Sequence, residues 1–353
     1  MKKQPINTAL CSFGMSGLVF HAPFINAHPK LNLYGVLERT KDLAKEKYPF
    51  VKTIRTLDQI VNDTSIALVV VNTPNITHYD FAKQLINAGK HVIVEKPFTV
   101  TSQQAKELIT LADRKKVLLS VYHNRRWDSD FRTVQKIINR GVLGKIIEAE
   151  FHFDRFEPNL SYKIHKETPT AGVGNLYDLG SHLIDQALQL FGMPTSVFAH
   201  LNSFRKKSKV TDYFDLKLFY KSHSVSLKSS YFVREVVPSY IVHGTNGSFI
   251  KSRADIQEDE LKKEVKPNRA NWGLEQETER GLLYCKEQNV FKKELIESEQ
   301  GDYMEYYDGV AQAILNKKPL PVSAIEAMQV IQIIEAAVES DKTKMVIDLV
   351  DYS

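Results

Sequence analysis

The chain has 353 residues, enough for two domains that each bury a core of their own. Hydrophobic residues make up 43%, charged residues 25%, and the formal net charge is +5, a balance ordinary for a globular protein. Cys11 and Cys285 are too few for a disulfide framework, no Cys/His cluster has zinc spacing, and no apolar stretch reaches membrane-spanning length.

The first third alternates strand and helix. Asn7 to Ser12 reads as a strand entering the turn Phe13-Gly14-Met15-Ser16-Gly17, with a helix after it. A second strand covers Leu31 to Leu37, and a helix from Lys41 to Lys47 is cut off before Pro49. Ile66 to Val71 is a pure aliphatic run, followed by Asn72-Thr73-Pro74-Asn75 and a helix through Ala88. Val92 to Val94 is a strand, Ser102 to Lys115 a helix, and Val117 to Val121 a strand again. Strands separated by helices of this length imply right-handed crossovers and a doubly wound parallel sheet.

The turn Ser12 to Gly17 matches the dinucleotide fingerprint G-x-G-x-x-G at its second and third glycines, with Ser12 in place of the first. Gly14 and Met15 would bring backbone amides to a pyrophosphate at a helix start, and Gly17 would let helix and strand pack closely. Glu38 ends the second strand where a carboxylate usually accepts from an adenosine ribose, which favours NAD. The adjacent Arg39 would instead suit a 2′-phosphate, so NADP stays open. In His91-Val92-Ile93-Val94-Glu95-Lys96-Pro97, Pro97 forbids continuing the ladder and Lys96 emerges at the carboxyl end of the strand. Ligands sit at that end of open α/β sheets, so Lys96 either faces a substrate or closes a strand as a surface charge.

After the last strand of this half, Tyr122-His123-Asn124-Arg125-Arg126-Trp127-Asp128 forms a polar-aromatic cluster. Asn124 and Arg126 either hold a polyhydroxylated substrate or, for the arginines, pair with carboxylates. A helix follows from Phe131 to Asn139. The second half then alternates apolar and polar residues over Ile146–Phe153, Phe214–Tyr220, Ser224–Tyr231, Tyr240–His243 and Ser248–Lys251 without intervening helices. That pattern predicts an open, mostly antiparallel sheet in an α+β domain. The basic run Arg205-Lys206-Lys207-Ser208-Lys209 contains no aromatic residue and reads as a solvated hairpin loop, so no nucleic-acid partner is expected.

One helix interrupts the second half, from about Leu179 to Phe191, with Asp178 as its N-cap and a close-approach loop at Gly172 and Gly174 before it. Asp178 and His182 are four apart, close enough to interact on one helix face. A carboxylate beside an imidazole fixes its tautomer and raises its basicity, as a general base requires. The alternative is a cap and a core histidine. Lys251 to Gly301 is highly charged and weakly periodic; a solvated loop is favoured over an excursion covering the site around Trp272. Asp302–Asn316 and Ala324–Ser340 are amphipathic helices.

Together, Phe13 to Gly17, Asn72-Thr73-Pro74, Glu95-Lys96-Pro97 and Asp178-Leu179-Gly180-Ser181-His182 resemble the Gfo/Idh/MocA family of NAD(P)-dependent oxidoreductases, from about Asn7 to the end. The subgroup containing scyllo-inositol 2-dehydrogenases is especially similar at Tyr122–Asp130, Leu176–Gln186 and Pro321–Ala324. The resemblance implies an N-terminal Rossmann domain over 1–122 and a substrate-binding, oligomer-forming domain over 123–353. It implies Lys96, Asp178 and His182 as the catalytic set, which would also bind substrate. It further implies cofactor contacts at Thr73, Pro74, His78, Glu95 and Lys96, a possible cis bond before Pro97, and homodimers or homotetramers formed through the open sheet faces. The activity so implied is interconversion of a secondary alcohol and a ketone on a cyclic polyol or sugar, with NAD or NADP. The rivals are a dehydrogenase or reductase of a non-carbohydrate substrate, and a cofactor-sensing regulator on the same fold. Met1-Lys2-Lys3-Gln4-Pro5 leads straight into a strand with no cleavage region, so the expectation is a cytoplasmic protein without metal or membrane partner.

Overall fold

The computed structural model describes residues 4–267, 270–288 and 290–349. The chain forms two compact units. One gathers the chain up to Asn124 with Ile256–Trp272 and Asp302–Met328; the other takes Arg125–Asp255, Gly273–Gly301 and the chain from Gln329.

In the first unit, Ile6–Leu10 (β1), Leu31–Leu37 (β2), Lys52–Ile54 (β3), Leu68–Val71 (β4), His91–Val94 (β5) and Leu119–Val121 (β6) form a parallel sheet. Their order is β3-β2-β1-β4-β5-β6. Chain progression reverses between β1 and β4, and a doubly wound sheet opens its ligand crevice at that switch point. β4 is buried at every position, as expected of a strand covered on both faces. The helix Ser102–Lys115 has the predicted limits because both ends are marked locally. Thr101 accepts from the Gln104 amide at its start, and Lys116 takes a left-handed conformation at its end.

Two elements here escape the apolar pattern. β3 is a short edge strand, and the helix Leu57–Asn62 shows itself only through the capping box of Thr56 and Gln59. The helix expected after the glycine turn is a π-helical turn over Gly17–His21 followed by Ala22–Ala27 in α form. Pro23 supplies no N–H and its ring crowds the preceding turn, so a regular ladder cannot run through this point.

In the second unit, Ile146–His152 (β7), Ser196–Asn202 (β8), Tyr213–Phe219 (β9), Ser224–Ser230 (β10), Tyr240–Gly244 (β11), Gly247–Lys251 (β12), Gly281–Glu287 (β13), Val290–Ile296 (β14) and Ile347–Asp348 (β15) build one open sheet. The order is β14-β13-β12-β11-β7-β10-β9-β8-β15; β7 and β10 are parallel, and the other pairs antiparallel. Phe151, Phe214, Leu216, Val225 and Leu227 line its buried face, and the helix Ser181–Phe191 is buried all round from Ser181 to Leu188.

Three expectations are corrected. Lys251–Gly301 is not a solvated loop: it holds the helix Gln257–Lys262 and the hairpin β13–β14. Its period is blurred because β14 is exposed from Val290 to Leu295, apolar and charged residues alike, and only Ile296 is buried. Trp272 does not cover a site but is core, only 2% exposed, with its Nε1 donating to Gln257 Oε1 at 3.0 Å and its ring edge-on to Phe24. Within the basic run, Arg205 is buried rather than solvated, donating to both oxygens of Glu167 and to Asp212 Oδ2.

Candidate active site

The glycine turn sits at the carboxyl end of β1. A side-chain clamp from Asn72 fixes it: the Ser12 amide donates to Asn72 Oδ1 at 3.0 Å, and Asn72 Nδ2 donates back to Ser12 O at 2.9 Å. Ser12 therefore replaces the first glycine without backbone strain, since it is not among the residues of positive φ. Its hydroxyl donates to Asn72 O. A Cβ on Gly17 would lie 2.4 Å from Ser12 O and 2.9 Å from Asn72 Nδ2, so only glycine allows this approach of helix to strand. A Cβ on Gly14 would meet nothing closer than 3.7 Å, and Gly14 and Met15 are exposed. An open, glycine-lined turn at a helical start on the switch point fits a dinucleotide pyrophosphate.

Glu38 is 8% exposed, and both its oxygens accept backbone amides of the next helix: Oε1 from Leu43 at 3.1 Å, Oε2 from Ala44 at 2.9 Å. It caps that helix instead of standing open at the strand end. Arg55 ties the loop from the other side, donating to Glu38 O, Lys41 O and Asp42 Oδ2. Arg39, Thr40 and Lys41 are left exposed at its crest. Thr77 Oγ1 lies 2.7 Å from Thr73 Oγ1 and donates to Pro74 O, which also accepts from the Thr77 amide. His78 is buried; its Nε2 meets Thr73 O at 2.9 Å and its Nδ1 meets Pro97 O at 3.0 Å. Burial holds this imidazole below its usual range, against the opposing pull of those carbonyls. Its place is under the loops that carry Thr73 and Lys96.

Lys96 is half-buried at the end of β5, and the Lys96–Pro97 peptide is cis. Its backbone N–H donates to Glu95 Oε2 at 3.1 Å, while Glu95 Oε1 accepts from Ser16 Oγ at 2.7 Å and from His21 Nε2 at 2.9 Å. Burial pushes the Glu95 carboxyl up, but the hydrogen bonds from His21 and Ser16 and the charges of His21 and Lys96 outweigh it and hold it below the usual carboxylate range. Glu95 is thus turned inward as a structural anion. Asn124, the last residue of this unit's first segment, is buried at the start of a short 3₁₀ turn.

In the second unit, Asp178 lies inside a π-helical turn, Leu176–Gly180, that runs directly into the helix Ser181–Phe191. Gly180, not Asp178, holds the N-cap position, and its backbone is already helical. Asp178 is therefore not the expected cap; the wide turn extends the helix N-terminally and leaves its side chain for other partners. Asp178 Oδ2 accepts from Lys166 Nζ at 3.1 Å. His182 is 5% exposed, one turn further on, with its ring 6.4 Å from that of Phe153. Arg253 and Arg125 stack on Phe153 at 4.1 and 5.0 Å. The glycine loop before Asp178 approaches its own chain: Gly174 has φ +110° against Thr211, and the Asn175 amide donates to Thr211 O.

Arg126 takes the carboxylate alternative. Its Nε and Nη2 donate to Asp185 Oδ2 and Oδ1 at 2.9 and 2.6 Å, a buried bidentate pair linking the 3₁₀ turn to the His182 helix. Removing one partner of such a pair strands a charge, so Asp185→Asn is expected to cost about 3–5 kcal/mol, with much of it recovered in Arg126→Met/Asp185→Leu. Urea unfolding of the variants checks this, and a loss under about 1 kcal/mol in Asp185→Asn contradicts it. Sequence reading missed His21, Tyr307, Lys166 and Asp185. His21, two residues before a helix-breaking proline, and the repeated tyrosines at 303, 306 and 307 were the available signals.

A doubly wound unit with this turn, joined in sequence to an open-sheet unit, suits a dinucleotide-binding enzyme. Residues 6–123 match the oxidoreductase-family NAD-binding Rossmann fold and residues 135–349 the oxidoreductase-family C-terminal alpha/beta domain, and the chain belongs to the Gfo/Idh/MocA family. It is an NAD(P)-dependent oxidoreductase. It is similar to the scyllo-inositol 2-dehydrogenase (NADP(+)) IolW of Bacillus subtilis, 39% identical over 99% of this chain and 97% of that one. Among solved structures, the oxidoreductase yvaA of Bacillus subtilis superposes with a TM-score of 0.96 at 39% identity, covering 99% of each chain. An oxidoreductase of Bacteroides fragilis does so at 0.90 and 42%, covering 98% of this chain and 100% of that one. Among the described residues no helix is long and apolar enough to cross a membrane.

Proposed function

We propose that this oxidoreductase interconverts a secondary alcohol and a ketone on a cyclic polyol or sugar of the inositol type. The observation that carries this reading is the full-length likeness to a scyllo-inositol 2-dehydrogenase. A bound nicotinamide supplies the hydride chemistry. His182 accepts the hydroxyl proton of the reacting carbon, with Asp178 supporting the imidazole that becomes charged. Lys96 donates a hydrogen bond to the same oxygen and stabilises the negative charge that develops there. Gly14, Met15 and Gly17 shape the pyrophosphate turn, Asn124 meets the remaining hydroxyls, and Arg126 positions the helix of His182 through Asp185. The test is reduced-nicotinamide absorbance with purified protein against a panel of inositols and sugars; confirmed cofactor binding with no turnover of any member would reject the substrate class.

NADP is the proposed preference. With the Glu38 carboxylate turned onto helix amides, the repulsion it would exert on a 2′-phosphate is reduced, and Arg39, Thr40 and Lys41 offer donors at the loop crest. Arg39→Ala is expected to raise KM for NADP about tenfold while leaving that for NAD within about twofold, the worth of one charge-assisted hydrogen bond. Equal effects on both cofactors would contradict the assignment. A homodimer or homotetramer through the open sheet face belongs to the same reading and is checked by light scattering.

A further inference from the structure

Behind Lys96 lies a buried chain of polar groups that the proton and hydride chemistry does not use. His21 has no exposed surface, and its two ring nitrogens are both engaged: Nε2 with Glu95 Oε1 at 2.9 Å and Nδ1 with the Tyr307 hydroxyl at 2.8 Å. A carboxylate can only accept, so Nε2 carries a proton. The Tyr307 hydroxyl donates to Phe20 O at 2.7 Å, and the Tyr122 hydroxyl donates to the same carbonyl at 3.1 Å. The Tyr122 ring packs 4.6 Å from that of His21. Burial pushes the Tyr307 phenol well above its ordinary range, so it stays a donor. The π-helical turn presents both Phe20 O and the His21 ring to this network.

The front of the chain is Glu95. One oxygen receives Ser16 from the nucleotide turn and His21 from the π turn; the other receives the backbone N–H of Lys96. A single carboxylate thus ties the pyrophosphate turn to the main chain of Lys96, and His21 with Tyr307 behind it fixes where that carboxylate sits. We propose that His21 and Tyr307 are positioning residues for Lys96, acting through Glu95 to set its main chain against the nucleotide turn. The proposal rests on the role given to Lys96 above.

The experiment compares wild type with Tyr307→Phe, Glu95→Gln, His21→Leu, His21→Gln and Lys96→Met. Glu95→Gln keeps the shape but offers one acceptor oxygen to the donors of Ser16, His21 and Lys96. Its kcat is expected to fall about 10- to 100-fold with substrate KM within about threefold, the scale of a small misplacement of a reacting group. Tyr307→Phe, which deletes one hydroxyl, is expected to cost about 3- to 10-fold in kcat. His21→Gln, which keeps a donor toward Glu95, retains more activity than His21→Leu. Hydrogen exchange of the Lys96 amide, read by mass spectrometry on the protein without cofactor, accelerates in Glu95→Gln and Tyr307→Phe. Wild-type kcat and wild-type exchange at Lys96 in Glu95→Gln and Tyr307→Phe, with only the melting midpoint lowered, overturn the proposal, and both variants remain informative if His21→Leu does not fold. Loss of turnover in Lys96→Met beside unchanged Glu95→Gln rejects the network alone. Full turnover in Lys96→Met removes the reading on which it rests.

Discussion

Lys96→Met is expected to lower kcat by about 10²–10³, the loss that follows removal of one donor aimed at a developing oxyanion. Methionine keeps the length and the apolar stem of lysine but carries neither charge nor donor. Cofactor binding should change little, because the glycine turn is held by Ser12, Asn72 and Gly17 rather than by the lysine head. A fluorescence titration with the reduced cofactor separates the two effects. A weakened cofactor with normal kcat would make Lys96 a cofactor ligand, and more than a tenth of the wild-type rate would end its catalytic assignment. Lys96→Arg is the companion variant: it restores the charge with a planar, bulkier head and should recover only part of the rate.

β5 is apolar through Val94 and buried, so the chain must shed charge where it leaves the sheet, and Glu95 and Lys96 part company there. Glu95 turns inward to meet the donors of Ser16 and His21; the Lys96 main chain is pinned by that same carboxylate. Sequence alone showed the strand, its end and the two charges. It could not show that Glu95 faces inward, because its partner His21 is 74 residues away and looks like any helix histidine.

The same division runs through the whole chain. Elements with continuous apolar runs or marked ends were legible: β4, β5 and the helix Ser102–Lys115 follow from residue pattern. Elements whose burial depends on partners far along the chain were not. The hairpin β13–β14 hides because β14 is exposed at all but its last position and so shows no alternation, Arg205 is buried only because Glu167 and Asp212 surround it, and β3 has too few residues to show a period. Among the site residues, the glycines were readable because their reason is local sterics. Glu38 and Arg126 stand out in the sequence, and the structure adds their partners, since a carboxylate or guanidinium declares its partner only in three dimensions.

His182→Ala is expected to lower kcat/KM by about 10²–10⁴, the range for loss of a positioned general base. The helix that carries it is held from several sides: Ser181 through Leu188 are all buried, and Asp185 is forked to Arg126. Truncating His182 should therefore leave the backbone in place, so a rate loss reports chemistry and not collapse. The discriminating measurement is the pH dependence of kcat/KM in the direction of alcohol oxidation. An unprotonated imidazole is the active form of a base, so wild-type rate should fall as pH drops through its titration, and that acidic limb should vanish in His182→Ala. Asp178→Asn should keep a limb but lower the rate about 10²-fold, because an amide does not stabilise the charged imidazole as a carboxylate does. A variant His182→Ala that keeps both its rate and its acidic limb would transfer the base role to Lys96.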